Sequence, residues 1–597
     1  MAPCSAHSAQ FRAPRAPVSI ARPALGRAAV HRAAGVARRP LTTRPRGPVE
    51  RGQPSSTAAT APAQTALDTP AAQAADAPFS YERTWWAVHD LASIDPDRPN
   101  ALELLGKKLV LWRDGEGKWR CNEDMCPHRL APLSEGRTVD GQLECSYHGW
   151  RFNSGGRCVR IPQSVDAKAE ATACASSRSC VRSYPVREQS GIIWVWAHPG
   201  SPDEAESSPL PIPLGLQQLV ASGKRIRWFR RVLPYSWDVL LENVVDPAHL
   251  PHSHHKLTPM LTRDKSGPMP FASVQQQRQH ASNGADHSAA SGSSSGSSSS
   301  SSSGSSSGSG ADGGGAEAPD YAPPGMPPVG AFAFPSALSA SGVVAFTPPA
   351  LVAYEYALPG SAKLWTWIYA APAGPGRSIV LTTTGNTRPS VTPGMLAKAL
   401  LTAPKTLPPL LMNYYIQNIP MWRSHLLSNK LFDQDSVFLA QQDALLQRKG
   451  RQSWTSDYYL PIQSDLLVTA TRRWIDSKAG GGPAYAEGAE PMGPTPSTEQ
   501  IQDRWSQHTR HCKACRDAMA AMAVKAARAR GAAAALFAAL CALLGTYGAP
   551  GLLAGGAPAL LAAAAAAGAA VALAVARRAA ATVQAFKHVP FSHADNE

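Results

Sequence analysis

Two short couples of cysteine and histidine constrain this chain more than any other feature. Cys126-Pro127-His128 is followed, after sixteen intervening residues, by Cys145-Ser146-Tyr147-His148. Two Cys and two His could hold one tetrahedral zinc ion. They could also hold a [2Fe–2S] cluster in which two imidazoles replace two thiolates on one iron. Each couple supplies one sulfur and one nitrogen, so two loops can make one iron all-cysteine and the other all-histidine. Pro127, Pro132 and Gly149 stand where tight turns must bring backbone N–H groups close to the sulfides. The pattern decides for the cluster. Cys121 and Cys158 nearby read as plain buried or loop thiols, and ten cysteines in 597 residues are too sparse for a disulfide framework.

A second constellation lies downstream in Glu242-Asn243-Val244-Val245-Asp246-Pro247-Ala248-His249 and His254. On an unbroken helix His249 and His254 would point about 140° apart. Pro251 between them breaks the helix and lets both face one metal. Two imidazoles need an anionic third ligand to leave open positions on Fe(II) for dioxygen. With His252 and His255 beside them, the same residues could form a surface histidine cluster instead. A third group, His508-Thr509, His511-Cys512 and Cys515, forms a C-x-x-C pair with histidines upstream. Cys512 and Cys515 read as a redox pair; inert thiols, or a Cys2His2 zinc site completed by His508 and His511, are the alternatives.

The rest of the chain is read by composition. Residues 1–76 hold ten arginines, no lysine and three acids, so nearly half of the formal charge of +15 sits there. An Arg-, Ala- and Ser-rich, acid-poor leader without an apolar core matches an organelle transit peptide, against the alternative of a basic arm for nucleic acid. Residues 77–200 contain short alternating runs of β type, including Gly191–Trp196, where Ile192, Trp194 and Trp196 share a face as core. Residues 201–223 read as a linker, and 224–500 as a second domain of mixed strands and helices. A Ser/Gly tract at 282–315 interrupts it as a loop that cannot pack a core. After a C-x-x-C segment at 501–530, residues 531–578 form two nearly charge-free spans divided at Pro550. Lys525, Arg528 and Arg530 flank them before and Arg577 and Arg578 after, as expected of a membrane hairpin with both basic ends on one side. A buried pair of Ala-rich helices is the alternative. Residues 579–597 are a tail.

Cys-Pro-His-Arg…Cys-Ser-Tyr-His-Gly-Trp resembles the oxygenase-type Rieske signature and lacks the extra loop cysteines of the cytochrome-complex branch. With the leader, the E-x3-D-x2-H-x4-H match, H-T-x-x-C-x-x-C and the terminal hairpin, the chain resembles one plant and algal family. That family comprises pheophorbide a oxygenase, TIC 55 and the protochlorophyllide-dependent translocon proteins, and the run Pro127–Arg137 is particularly like them. The resemblance implies an α+β chain: a β-rich Rieske domain, an α+β helix-grip-like iron domain and a C-terminal transmembrane hairpin. It implies a cluster on Cys126, His128, Cys145 and His148, and a mononuclear non-haem Fe(II) on His249, His254 and an Asp opening an apolar helix. Phe432-Asp433-Gln434-Asp435-Ser436-Val437 resembles that segment. Asp433 and Asp435 lie about 200° apart on a helix, and the resemblance favours Asp435, directly before the apolar run. Asp246 is implied to carry electrons between the centres across a subunit boundary, hence a homotrimer. Reduced ferredoxin, dioxygen and a chlorophyll-type tetrapyrrole are the implied partners, with thioredoxin at the C-x-x-C, membrane lipid as host and no nucleic acid. The expected place is a chloroplast membrane, inner envelope or thylakoid, with the catalytic domains in the stroma. The family leaves two rival readings, oxygenation of protochlorophyllide or chlorophyllide, and a redox-regulated accessory of protein import.

Overall fold

Strand Ile192–Trp196 is buried on both faces, so the face opposite Ile192, Trp194 and Trp196 is core as well. It lies between Trp85–Asp90 and Val186–Gln189 in an antiparallel sheet of three strands. The computed structural model describes residues 79–274, 319–336 and 341–593. The leader at 1–76 and the Ser/Gly tract at 282–315 lie outside the described residues, as does the end of the 579–597 tail.

Two four-stranded sheets complete the first domain. One runs Asn100–Leu104, Lys107–Arg113, Trp119–Glu123, Ser183–Tyr184. The other runs Arg137–Val139, Gln142–Glu144, Arg151–Phe152, Cys158–Arg160. Asp140-Gly141 turns the first hairpin of that second sheet with φ 51° and 71°, the left-handed pair that a two-residue hairpin of this hand requires. Val110, Trp112, Leu133, Leu143 and Phe152 bury together with Cys126 and Cys145 in a small core of their own. The sheet containing Ile192–Trp196 instead joins the larger core of the second domain, where Trp194 meets Tyr369 edge-on with ring centres 5.1 Å apart.

The second domain is a seven-stranded antiparallel sheet in the order Phe229–Leu233, Arg377–Asn386, Ala362–Gly374, Leu351–Leu358, Gly342–Thr347, Gly330–Phe334, Ala272–Ser273. Helices Trp237–Val245, Met421–Lys449 and Leu466–Lys478 cross it, and the Phe229 ring stacks on Phe432 at 5.8 Å. Gly450, at φ 94°, stops the long helix. The fold class is therefore α+β.

Two expected boundaries are not boundaries in the structure. Residues 201–223 are folded, with helices Pro202–Ser207 and Leu214–Ala221 burying Ala205, Leu216 and Leu219. The Ser and acidic residues that suggest a tether sit on the outer side of the stretch, while its apolar residues, with Pro211 and Pro213, are buried against the core. Further on, a single helix, Lys513–Leu553, starts at the C-x-x-C and runs through residue 530. It breaks at Gly548 (φ 64°), so Pro550 falls in the first turn after the break, where its missing N–H costs nothing. The chain reverses later, with Gly555 and Gly556 at φ 87° and 82°, into Ala557–Ala585. The two helices pack through small residues, among them Ala526, Ala562, Ala565, Ala576 and Ala579; a Cβ on Gly568 would lie 3.1 Å from Leu536. Both are long and apolar enough to cross a membrane, and their most apolar stretches are 0% and 11% buried.

Candidate functional site

The two cysteine–histidine couples occupy neighbouring loops at one end of the small core. Cys126 N–H donates to Ala131 O and Leu130 N–H to Cys126 O, each at 2.8 Å, which closes the first loop into a tight turn with Leu130 at φ 60°. The second loop repeats the device: Cys145 N–H donates to Trp150 O at 2.9 Å and Gly149 N–H to Cys145 O at 2.8 Å. Gly149 has φ 72°, a conformation that suits glycine. Both thiols are buried, while His128 and His148 lie side by side with ring centres 4.5 Å apart and part of their surface open. His128 also stacks on Trp150 at 4.7 Å. Two sulfurs inward and two imidazoles outward fit a [2Fe–2S] cluster with mixed ligation. Leu130 and Tyr147 stand exposed at the loop tips beside the imidazoles.

The second centre is assembled from two segments about 180 residues apart in sequence. Helix Trp237–Val245 ends at Asp246, and a short turn of helix, Leu250–Ser253, separates His249 from His254. Asp435 reaches them from the middle of Met421–Lys449: its carboxylate lies 3.4 Å from His254 Nε2 and 3.9 Å from His249 Nε2. His254 and Asp435 are buried, yet His254 Nε2 and Asp435 Oδ1 have no hydrogen-bond partner. Buried polar atoms left orphaned and facing one another are what a three-ligand metal site looks like without its ion. His254 Nδ1 is 3.0 Å from Gln434 Oε1, and that contact turns Nε2 towards the centre. His252 and His255 are drawn away, to Ser266 Oγ and the Arg263 N–H.

Asp433 has a different setting. Arg231 and Arg504 grip its carboxylate at 2.7 and 2.5 Å, away from the histidines. Glu242 also stays out of the centre, bound to Arg472, Gln442 and Tyr458. Arg472 and Arg451 both pair with Asp238, at 2.7 and 2.8 Å, and Arg451 also binds Asp443. This network joins the helix that leads to the histidines to the helix that carries Asp435. Asp246 accepts from Ala248 N–H at 2.7 Å, and its side chain is 28% exposed and 3.6 Å from His249 Nδ1.

Two neighbours of these groups have no signal in the sequence. His593, from the tail, stacks on Phe438 at 4.0 Å, and burial lowers its imidazole while Asp435 and His254 act on its charge. His425 joins His508, Cys512 and Cys515 in one buried group, whereas His511 turns aside to Arg510. Burial would raise the Cys512 thiol, but hydrogen bonds with Cys515, His425 and His508 draw it well below its usual range.

The comparisons with known proteins follow the same division. The Rieske [2Fe-2S] domain model matches residues 84–185, and the pheophorbide a oxygenase model matches 346–453. Pheophorbide a oxygenase of Arabidopsis thaliana is 30% identical over 452 residues, covering 72% of this chain and 71% of that protein. TIC 55 of the same plant is 27% identical, covering 68% and 61%. Flavonoid 8-hydroxylase 2 of Ocimum basilicum is 26% identical, covering 72% of each chain. All three are described as chloroplastic.

Proposed function

Because the chain belongs to the Rieske-type non-haem iron oxygenase family of pheophorbide a oxygenase, we propose that it oxygenates a chlorophyll-type tetrapyrrole, with pheophorbide a as substrate. The observation that carries this reading is the orphaned, buried face shared by His254 and Asp435, with His249 beside it. A protein that only carried electrons would need no such face. Cys126, His128, Cys145 and His148 hold the cluster, and His249, His254 and Asp435 hold the iron. When bound, the first supplies electrons one at a time and the second the site of dioxygen chemistry. Gln434 orients His254, and the Arg472–Glu242–Asp238 network keeps the ligand-bearing helices in register.

Reduced ferredoxin is the donor, reaching the cluster on the side where the imidazoles are open. The exposed loop tips and the partly exposed Asp246 carboxylate support a trimer in which the cluster of one protomer faces Asp246 of the next. The exposed helical hairpin holds the enzyme in a chloroplast membrane, where an apolar pigment concentrates. Basic residues at Arg530 and Arg577 stand at one level, about 33–38 Å from the reversal at a rise of 1.5 Å per residue, so the head faces the stroma.

Purified protein incubated without oxygen with pheophorbide a and reduced ferredoxin, then given oxygen, tests the reading. Gain of oxygen with ring opening is the expected product mass. A formyl product points to the chlorophyllide branch. The 27% likeness to TIC 55 favours one rival, an import accessory, which predicts unchanged pigment. Asp435→Ala is expected to abolish turnover and leave the visible spectrum of the cluster intact; turnover that survives it removes the iron from the assignment.

A further inference from the structure

The buried group formed by His425, His508, Cys512 and Cys515 has no part in the oxygenase chemistry. All four ligand atoms lie within 4.8 Å of one another, and none of the four residues is more than 2% exposed. Cys515 Sγ is 3.3 Å from His508 Nε2 and 3.5 Å from His425 Nδ1; Cys512 Sγ is 3.5 Å from the same His425 Nδ1. A tetrahedral zinc ion with sulfur at about 2.3 Å and nitrogen at about 2.0 Å sets its ligands roughly 3.3–3.8 Å apart. The preformed spacing matches.

The far sides of the two imidazoles point the same way. His508 Nδ1 lies 2.6 Å from the carbonyl of Arg230, and His425 Nε2 lies 3.1 Å from the carbonyl of Trp228. A carbonyl only accepts, so those nitrogens carry the protons and the lone pairs of His508 Nε2 and His425 Nδ1 face the sulfurs. Imidazoles fixed by a backbone carbonyl on the far nitrogen are the usual support of a metal ligand. Both cysteines are free thiols.

We propose that His425, His508, Cys512 and Cys515 bind one structural zinc ion that fastens the membrane hairpin to the catalytic domain. Zn²⁺ displaces one proton from each thiol, and no electron moves. The ligands come from three places: the helix that also carries Asp435, the segment resting on strand Phe229–Leu233, and the first turn of helix Lys513–Leu553. Zinc here replaces the redox pair expected from the C-x-x-C, since a thioredoxin would have to attack sulfurs 1% and 0% exposed. A disulfide would also need a two-electron oxidant.

The test uses the full-length chain purified anaerobically in detergent, with metals counted by mass spectrometry and coordination read at the zinc X-ray absorption edge. The expected result is about one zinc per chain beyond the iron, with two sulfur and two nitrogen neighbours. Cys512→Ser/Cys515→Ser and His425→Ala are expected to lower zinc at least roughly tenfold and keep the cluster's spectrum. His511→Ala is expected to keep the zinc. A wild-type chain without zinc, a Cys512–Cys515 disulfide in its peptide map, iron in place of zinc, or zinc that survives the double replacement each overturns the proposal. The absorption edge is read on the wild-type chain, so a variant that misfolds leaves the test intact.

Discussion

Asp433 and Asp435 are two residues apart on one helix, and their neighbours give them different work. Asp433 neutralises Arg231 and Arg504, both buried, so its removal strands two guanidinium groups in the core. Asp433→Ala should lower stability by about 3–5 kcal/mol, seen as an earlier thermal unfolding transition in detergent. Asp435→Ala removes a carboxylate whose ion-pair contacts are His249 and His254 and which holds no buried guanidinium, so the iron should go and the unfolding transition should stay close to wild type. Asp246 makes a third case. Asp246→Asn keeps the acceptor for Ala248 N–H but loses the charge beside His249. It should leave both metal contents unchanged and slow electron arrival at the iron in a single-turnover experiment. Spacing along the chain singles out the four candidate cluster residues and the His249–His254 pair, because ligand chemistry favours short, local intervals. His425 and His593 gave no such sign: each reaches its cluster through packing across the fold, which spacing does not encode.

At the scale of elements, the hairpin depends on how closely its two helices approach. Gly568 already sets its Cα against Leu536, with room for a Cβ only at 3.1 Å. Gly568→Leu should therefore push the helices apart and cost about 1–3 kcal/mol. A cysteine pair placed along the interface should cross-link more slowly in that variant than in the parent. Hydropathy and flanking charge made these helices legible, whereas the break at Gly548 and the reversal at Gly555-Gly556 follow from backbone angles that a Pro-centred reading misses. The 201–223 stretch misleads for a related reason. Its composition is that of a tether, yet Gly215 lets a helix press against Trp365, where a Cβ would sit 3.0 Å from the ring.

For the whole molecule, the proposed trimer sets the sharpest expectation. A protomer with Cys126→Ser has a working iron and no cluster, and one with Asp435→Ala has the reverse. If clusters serve neighbouring irons, an equal random mixture reassembled into trimers should recover about a quarter of the wild-type turnover. Electron transfer confined to one chain would leave the mixture inactive. The head and the hairpin are also joined beyond the C-x-x-C. Thr509 Oγ1 donates to Phe586 O, Trp505 N–H to Lys587 O, and Gln502 brackets Phe591 with two hydrogen bonds, which carries His593 back to Phe438 beside Asp435. A chain emerges N-terminus first, and His593 follows both apolar helices in it, so it is made after them. The stack on Phe438, one helical turn beyond Asp435, is thus completed only after both apolar helices have been synthesised and folded against each other, which ties the surroundings of the candidate iron ligands to the hairpin.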